Sequence, residues 1–146
     1  MEFRILDKTE GGSYFSGPHN CEYLMTLSYV FTDGIGFAKN IIKDLLDTQS
    51  QGRYGNITDV YIEGSIVKIH HMYGFDSDTE PIEIDRNELL RIMKDGLFFM
   101  EKQVPYIVLQ RENQNAPIII TDVVPEGMQL EFKNKRLYAH YKGETF

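Results

Sequence analysis

The sequence lacks tryptophan, has a single cysteine and contains no long hydrophobic run. One cysteine, Cys21, excludes an internal disulfide and is typical of proteins in a reducing cytosol. The apolar stretches, such as residues 118–120, are far shorter than the roughly 18 residues that a membrane-spanning helix needs. Residues 1–10 carry charges where a signal peptide has its apolar segment. We therefore expect a cytoplasmic protein without membrane association.

Basic residues are also scarce, and their shortage is concentrated in one part of the chain. The 15 lysines and arginines face 22 aspartates and glutamates, which gives a net charge of −7. Non-specific nucleic-acid binding depends on basic side chains that displace counterions from phosphate, so we expect no nucleic-acid partner. Residues 56–90 contain two basic side chains, Lys68 and Arg86, and eight acidic ones, a net charge of −6. These acidic residues are Asp59, Glu63, Asp76, Asp78, Glu80, Glu83, Asp85 and Glu88.

The order of the predicted elements indicates an α+β fold. No internal repeat or low-complexity linker divides the chain, so we predict a single domain over residues 1–146, which is a common domain size. Helices interrupt runs of strands that short turns connect. This order predicts a mainly antiparallel sheet of hairpins with two or three helices packed on one face.

The clearest local pattern is a β-hairpin. Two β-rich runs, Ile57–Glu63 and Ile66–Met72, flank a Gly-Ser pair at residues 64–65 that suits a two-residue type II′ turn. The alternation of apolar side chains indicates the same register as the turn does. The predicted pairs are Ile62 with Val67, Val60 with Ile69, Tyr61 with Lys68 and Asp59 with His70.

Shorter patterns predict the other strands and the loops. A second hairpin is predicted between Met128–Lys133 and Arg136–Lys142, with its turn at residues 134–135. Residues 9–20 and 49–56, which are rich in turn-forming residues, are predicted to be loops. Further strands are predicted at Phe3–Leu6, Cys21–Thr32, Ile82–Ile84, Tyr106–Gln110 and Pro117–Val124.

Two segments are predicted to be helices. Over residues 35–48 the apolar side chains recur at helical spacing, with polar residues on the opposite side. Asp85 and Glu88 have the N-cap and N3 spacing of a variant capping box, which predicts the start of a second helix. Gly96 either ends this helix or lies inside a longer one that reaches Gln103, and the sequence leaves both alternatives open.

No motif in the sequence is specific for a cofactor or a metal. The Gly-Ile-Gly segment at residues 34–36 precedes a helix, but it lacks the third glycine of a dinucleotide fingerprint and the remainder of a P-loop. Asp76, Asp78 and Glu80 lack the later glycine and the bidentate glutamate of a calcium loop, so a solvated acidic turn is favoured. We expect neither a cofactor nor a metal.

One pair of residues has an arrangement found in enzymes. Asp59 and His70 are predicted to face each other across the hairpin, where a carboxylate could orient a general base. No serine or cysteine is placed beside them, and His71 points to the opposite face of the strand, so the two histidines cannot chelate one ion together. An enzyme or small-ligand-binding domain with a site around Asp59 and His70 is therefore an alternative, and a non-enzymatic function is favoured.

A short segment resembles a known class of proteins. Residues 82–90, I-x-I-D-R-N-E-L-L, form a predicted strand-to-helix segment in a small, acidic α+β chain. In this segment, and in size and charge, the chain resembles the immunity proteins of bacterial toxin–immunity systems, many of which neutralise basic nucleases. The resemblance implies an inhibitor that binds a basic toxin, and it carries over no functional residues.

The acidic stretch predicts where a basic protein partner would bind. Carboxylates concentrated in one region steer a cationic partner, and tyrosines among them give contact area at small entropic cost. A structural subunit of a larger assembly is a further alternative. The predicted partner-binding residues are Asp59, Tyr61, Glu63, Asp76, Asp78, Glu80 and Glu83.

Overall fold

A computed structural model of the chain describes residues 1–9, 13–18, 20–71 and 80–146. Within these ranges the chain forms three α-helices and eleven β-strands. The helices are α1 (Glu22–Val30), α2 (Gly34–Leu46) and α3 (Arg86–Glu101), and a 3₁₀ turn (Phe31–Asp33) joins α1 to α2. The strands are β1 (Glu2–Asp7), β2 (Tyr14–Ser16), β3 (Gly52–Tyr54), β4 (Thr58–Glu63), β5 (Ile66–His71), β6 (Ile82–Asp85), β7 (Tyr106–Arg111), β8 (Ile119–Thr121), β9 (Gln129–Lys133), β10 (Arg136–Tyr141) and β11 (Glu144–Thr145).

The strands are distributed over three sheets. The β1 sheet has the order β2-β1-β7-β8, the β4 sheet has the order β3-β4-β5-β6, and the C-terminal sheet has the order β11-β10-β9. Each pairing between described strands is antiparallel. The predicted α+β class with mainly antiparallel pairing is therefore confirmed.

Alternation along the strands of the β1 sheet buries both of its faces. Successive side chains of a strand point to opposite faces. Leu6 and Ile107 therefore join the main core, which includes residues from all three helices and from the β4 sheet. Phe3 and Ile5 point the other way and pack in a second cluster with Leu137 of the C-terminal sheet. The β1 sheet thus lies between the C-terminal sheet and the main core.

Both predicted hairpins are confirmed, and the first has its predicted register. In the first, Gly64 has a φ of 65°, as the first central position of a type II′ turn requires. In the second, Asn134 and Lys135 have φ values of 52° and 59°, as in a type I′ turn. Met72, which the predicted strand included, lies outside the described residues. The confirmed pairs of the first hairpin are Ile62 with Val67, Val60 with Ile69, Tyr61 with Lys68 and Asp59 with His70.

The strand predicted at Cys21–Thr32 is wrong, because this segment forms α1 and the 3₁₀ turn. The prediction followed the alternation of apolar residues with mostly small or polar neighbours, at Tyr23, Met25, Leu27, Tyr29 and Phe31. Three of the buried side chains have a different spacing: Leu24, Leu27 and Phe31 are separated by three and four residues and are almost completely buried. This is the spacing of one helix face. The helical period therefore decided the structure of this segment.

The helix that begins after Asp85 is confirmed, and it is the longer of the two alternatives. The Asp85 carboxylate accepts hydrogen bonds from the backbone N–H groups of Asn87 and Glu88, at 3.0 and 3.1 Å. It therefore satisfies two of the amide groups that a helix N-terminus leaves without partners. The helix continues through Gly96 and ends at Glu101.

Several short strands were not predicted. Both β2 and β3 lie inside segments predicted to be loops, and β11 follows the second hairpin. The strand predicted at Pro117–Val124 is reduced to β8, which has three residues. Strands of two or three residues are too short to display a period of two, and their pairing with longer neighbours defines them.

Arg86, the first residue of α3, ties three elements together. Its guanidinium donates hydrogen bonds to the backbone carbonyl of Leu45 at 2.9 Å, of Asp47 at 3.0 Å and of Gly64 at 3.0 Å. The first two of these carbonyls lie at the C-terminal end of α2, where helix carbonyls lack intrahelical partners and the helix dipole favours a cation. One side chain thus joins α2, the first hairpin and α3.

An ion pair joins α2 to β3. The Asp44 carboxylate accepts two hydrogen bonds from the Arg53 guanidinium, at 2.6 and 3.1 Å, and the Asp44 side chain is only 11% exposed. The pKa of Asp44 lies below its ordinary value, mainly because of these hydrogen bonds. Two parallel N–H···O bonds of this kind fix geometry as well as adding energy.

Replacing Asp44 with asparagine is expected to lower the free energy of unfolding at pH 7 by about 1 kcal/mol. Because the folded-state pKa is depressed, the ion pair contributes its stability above the unfolded-state pKa of about 4 and loses it as the pH falls through the folded value. Urea unfolding from pH 7 downwards should show the two proteins converging below about pH 4. The exposed Glu126→Gln is the control, and a constant difference across this range would contradict the assignment.

Candidate protein-binding face

The β4 sheet has one buried side and one side turned away from the core. Val60, Ile62, Val67 and Ile69 are buried in the main core, so the alternate positions of the same strands point outwards. We refer to this second side as the outer face. Its residues are Gly52 and Tyr54 of β3, Asp59, Tyr61 and Glu63 of β4, Ile66, Lys68 and His70 of β5, and Glu83 and Asp85 of β6.

The structure brings four of the seven predicted partner-binding residues onto the outer face. They are Asp59, Tyr61, Glu63 and Glu83. Glu80 is exposed and lies two residues before β6. The remaining two, Asp76 and Asp78, lie outside the described residues.

These residues differ in how accessible they are. The Glu63 side chain is 61% exposed, and Glu83 is also exposed. Asp59 is only 9% exposed, so most of its surface is covered. Among the predicted partner-binding residues of the outer face, Glu63 and Glu83 therefore have the carboxylates that a partner could reach directly, whereas that of Asp59 is mostly covered.

Lys68 is placed near the middle of the outer face. It lies opposite Tyr61 on one side and opposite Glu83 on the other, and its Nζ is 3.3 Å from a carboxylate oxygen of Glu63. An exposed ion pair of this kind contributes only about 0.2–1 kcal/mol. Lys68 offsets one negative charge, and the described part of the outer face keeps an excess of carboxylates.

Two tyrosines form the apolar part of the outer face. The rings of Tyr54 and Tyr61 contact edge to face, with centroids 5.8 Å apart and planes at 86°. They are 73% and 39% exposed. The pKa of Tyr61 lies above its ordinary value, mainly because its hydroxyl has that of Tyr54 as a hydrogen-bond partner. Burial and the negative charge of Asp59 raise this pKa further.

Gly52 allows β3 to approach β4 and so positions Tyr54. Its φ is 105°, and a Cβ atom there would lie 1.9 Å from the carbonyl oxygen of Val60. Only glycine avoids both the backbone strain and this clash. The sequence predicts a loop at Tyr54, because a strand of three residues is too short to show alternation.

Asp59 and His70 lie opposite each other in the ladder, as predicted. No hydrogen bond and no ion pair joins their side chains, both of which the structure describes. His71 points into the protein, where its ring lies 5.2 Å from that of Tyr29 and burial lowers its pKa. The geometry does not orient His70 as a general base through Asp59.

The segment on which the resemblance to immunity proteins rests has mainly structural roles. Ile84 and Leu89 are buried in the main core, Asp85 caps α3 and Arg86 binds carbonyls at the end of α2. Glu83 and Asp85 of the segment are exposed and lie on the outer face. The motif therefore stabilises the connection between β6 and α3.

No family model, curated protein or solved structure matches this chain. In the described ranges, no three His, Cys, Asp or Glu residues are grouped so that they could hold a metal ion. None of the helices found there combines the length and the apolar character needed to cross a membrane. The outer face is therefore the feature of this chain that bears on its function.

Proposed function

We propose that this protein is a small acidic binding module of the cytoplasm that docks a basic protein partner through the outer face of the β4 sheet. An inhibitor of the immunity-protein type, which neutralises a basic toxin, is the form of this function that we favour. The observation that carries the proposal is that Glu63, Glu83 and the exposed Tyr54–Tyr61 pair lie on one side of the same sheet.

The charge of the outer face supports a cationic partner. Carboxylates that share one surface raise the local concentration of a cationic protein and increase its association rate. Glu63 and Glu83 come from strands on either side of β5, so their charges act on the same approaching surface. Lys68 lies on the strand between them and favours a carboxylate or a carbonyl at the facing position of the partner. This requirement adds specificity.

The tyrosine pair supports a protein partner over a free cation. Tyrosine is enriched at protein interfaces because it provides apolar area and a hydrogen-bonding group with few rotatable bonds. Tyr54 and Tyr61 are already in contact with each other, and the β-ladder fixes the backbone of both. Little side-chain freedom remains to be lost on binding, which favours affinity.

The test is to remove the charges of Glu63 and Glu83 and to measure the rate of association with the partner. A photo-crosslinking amino acid at Ile66, on the outer face, identifies the partner in the producing cell. The Glu63→Gln/Glu83→Gln variant is then expected to associate with the purified partner about tenfold more slowly at low salt. Stopped-flow kinetics at several salt concentrations measure this rate, and the difference should shrink as the salt concentration rises.

The matched control carries the same change in net charge elsewhere. Glu101 and Glu126 are both exposed and neither belongs to the outer face, so Glu101→Gln/Glu126→Gln should change the rate less than about twofold. Equal effects of the two double variants would show that only net charge matters. Crosslinks exclusively to acidic or neutral proteins would contradict the proposed partner.

A further inference from the structure

A cavity of about 680 Å³ lies away from the outer face. Its walls come from Lys8 after β1, from Ile35 at the start of α2, from the end of α3 and from the segment that leads into β7. None of its lining residues belongs to the outer face. Small-molecule sites in proteins have volumes of roughly 300–1,000 Å³, so this cavity has the size of a ligand site.

The walls of the cavity are mainly apolar. Ile35, Met100 and Val104 line it together with Pro105 and Ile107. Ile35 is 38% exposed, so part of this apolar wall is in contact with water in the free protein. A ligand with an apolar chain would remove that surface from water at roughly 25 cal/mol per Å².

One charged side chain also lines the cavity. Among the described residues that line the cavity, Lys8 is the one that carries a charge. Its backbone N–H donates to the Pro105 carbonyl at 2.8 Å, and its Nζ donates to the Ser13 hydroxyl at 2.8 Å. Burial lowers the pKa of this ammonium group, which means that its charge is incompletely hydrated and would be stabilised by an anion.

We propose that this cavity binds a small apolar carboxylate, whose tail packs on Ile35, Met100 and Val104 and whose carboxylate pairs with the ammonium group of Lys8. The position of Gly34 is consistent with an open site. Gly34 lines the cavity, and no atom lies within 4 Å of the place where its Cβ would be. A site with apolar walls and one placed charge selects amphipathic anions over both polar anions and neutral lipids.

The test compares octanoate with octanol by titration calorimetry, both below the concentration at which octanoate forms micelles. Wild-type protein is expected to bind octanoate about tenfold more tightly than octanol, because only the carboxylate pairs with Lys8. Lys8→Met, which keeps an apolar stem, should weaken octanoate binding about tenfold and leave octanol binding nearly unchanged. Lys39→Met, at an exposed position of α2, is the control and should change neither affinity.

A second variant keeps the proposal testable if Lys8→Met does not fold. Ile35→Asp places a negative charge on the exposed part of the wall and should weaken octanoate binding at least about tenfold by repulsion. Undetectable octanoate binding to wild-type protein would overturn the proposal. Equal affinities for octanoate and octanol, or octanoate binding that neither variant weakens, would overturn it as well.

Discussion

Replacing Gly96 with alanine is expected to lower the free energy of unfolding by about 2 kcal/mol, although alanine is the better helix former. A Cβ atom at Gly96 would lie 2.1 Å from Cε1 and 2.5 Å from Cζ of the Phe31 ring. Phe31 is fully buried, so its ring cannot move aside without disturbing the main core. Alanine gains about 1 kcal/mol in helix propensity, and the overpacking of a close-packed core outweighs that gain.

Gly36 in α2 provides a matched control for this prediction. It is also a helical glycine, but no atom lies within 4 Å of the place that its Cβ would occupy. Gly36→Ala should therefore raise the free energy of unfolding by about 0.5–1 kcal/mol. Urea unfolding of both variants measures the contrast. If Gly96→Ala were as stable as the wild type, the contact between α3 and the Phe31 ring would have to be looser than the structure has it.

The double variant Phe31→Leu/Gly96→Ala tests whether this ring is the cause. The smaller leucine makes room for the new methyl group, so the two substitutions should cost less together than the sum of their separate costs. A coupling energy of about 1 kcal/mol is expected for residues in contact. Additive effects would show that the alanine at position 96 is destabilising for another reason.

Replacing Arg86 with methionine is expected to lower the free energy of unfolding by about 3 kcal/mol. The change removes charged hydrogen bonds to the Leu45, Asp47 and Gly64 carbonyls, and hydrogen bonds of charged groups contribute about 1.5–3 kcal/mol. It also removes a cation from the C-terminal end of α2, where the helix dipole favours one by about 0.3–1 kcal/mol. Chemical denaturation monitored by circular dichroism measures the loss.

Two further substitutions separate charge from geometry at this position. Arg86→Lys keeps the charge but cannot reach three carbonyls in different directions, so it should recover less than half of the lost stability. Arg136 is exposed, and Arg136→Met should change stability by less than about 0.5 kcal/mol. Full recovery by lysine would show that the charge alone is responsible and that the planar guanidinium is not required.

The first hairpin and α1 show what the sequence can and cannot predict about this fold. In the hairpin, the turn residue Gly64 and the alternation of apolar side chains agree, because strands with one buried face require both. In α1 the two signals disagreed: the alternation of apolar with small or polar residues suggested a strand, whereas Leu24, Leu27 and Phe31 have helical spacing. A helix that is buried on most sides hides its period, so local patterns could not decide between the two.

The candidate site was predictable in part for a similar reason. Tyr61 and Glu63 follow from the register of a single hairpin, so their common face could be derived from sequence. Tyr54 and Glu83 reach the same face only because β3 and β6 pair with that hairpin. Such pairing depends on tertiary packing, and a three-residue strand carries no pattern that reveals it. The position of Arg86 between α2 and the hairpin turn has the same origin.

The pairing of β1 with β7 has a consequence for how the protein is made. These strands are separated by roughly 100 residues of chain, and contacts of such range form late because closing a long loop costs entropy. At a translation rate of about 5–20 residues per second, β1 leaves the ribosome several seconds before its partner is synthesised. During that interval β2 is the one neighbour in the β1 sheet with which β1 can already pair. The other edge of β1 keeps its backbone N–H and C=O groups unpaired until β7 emerges.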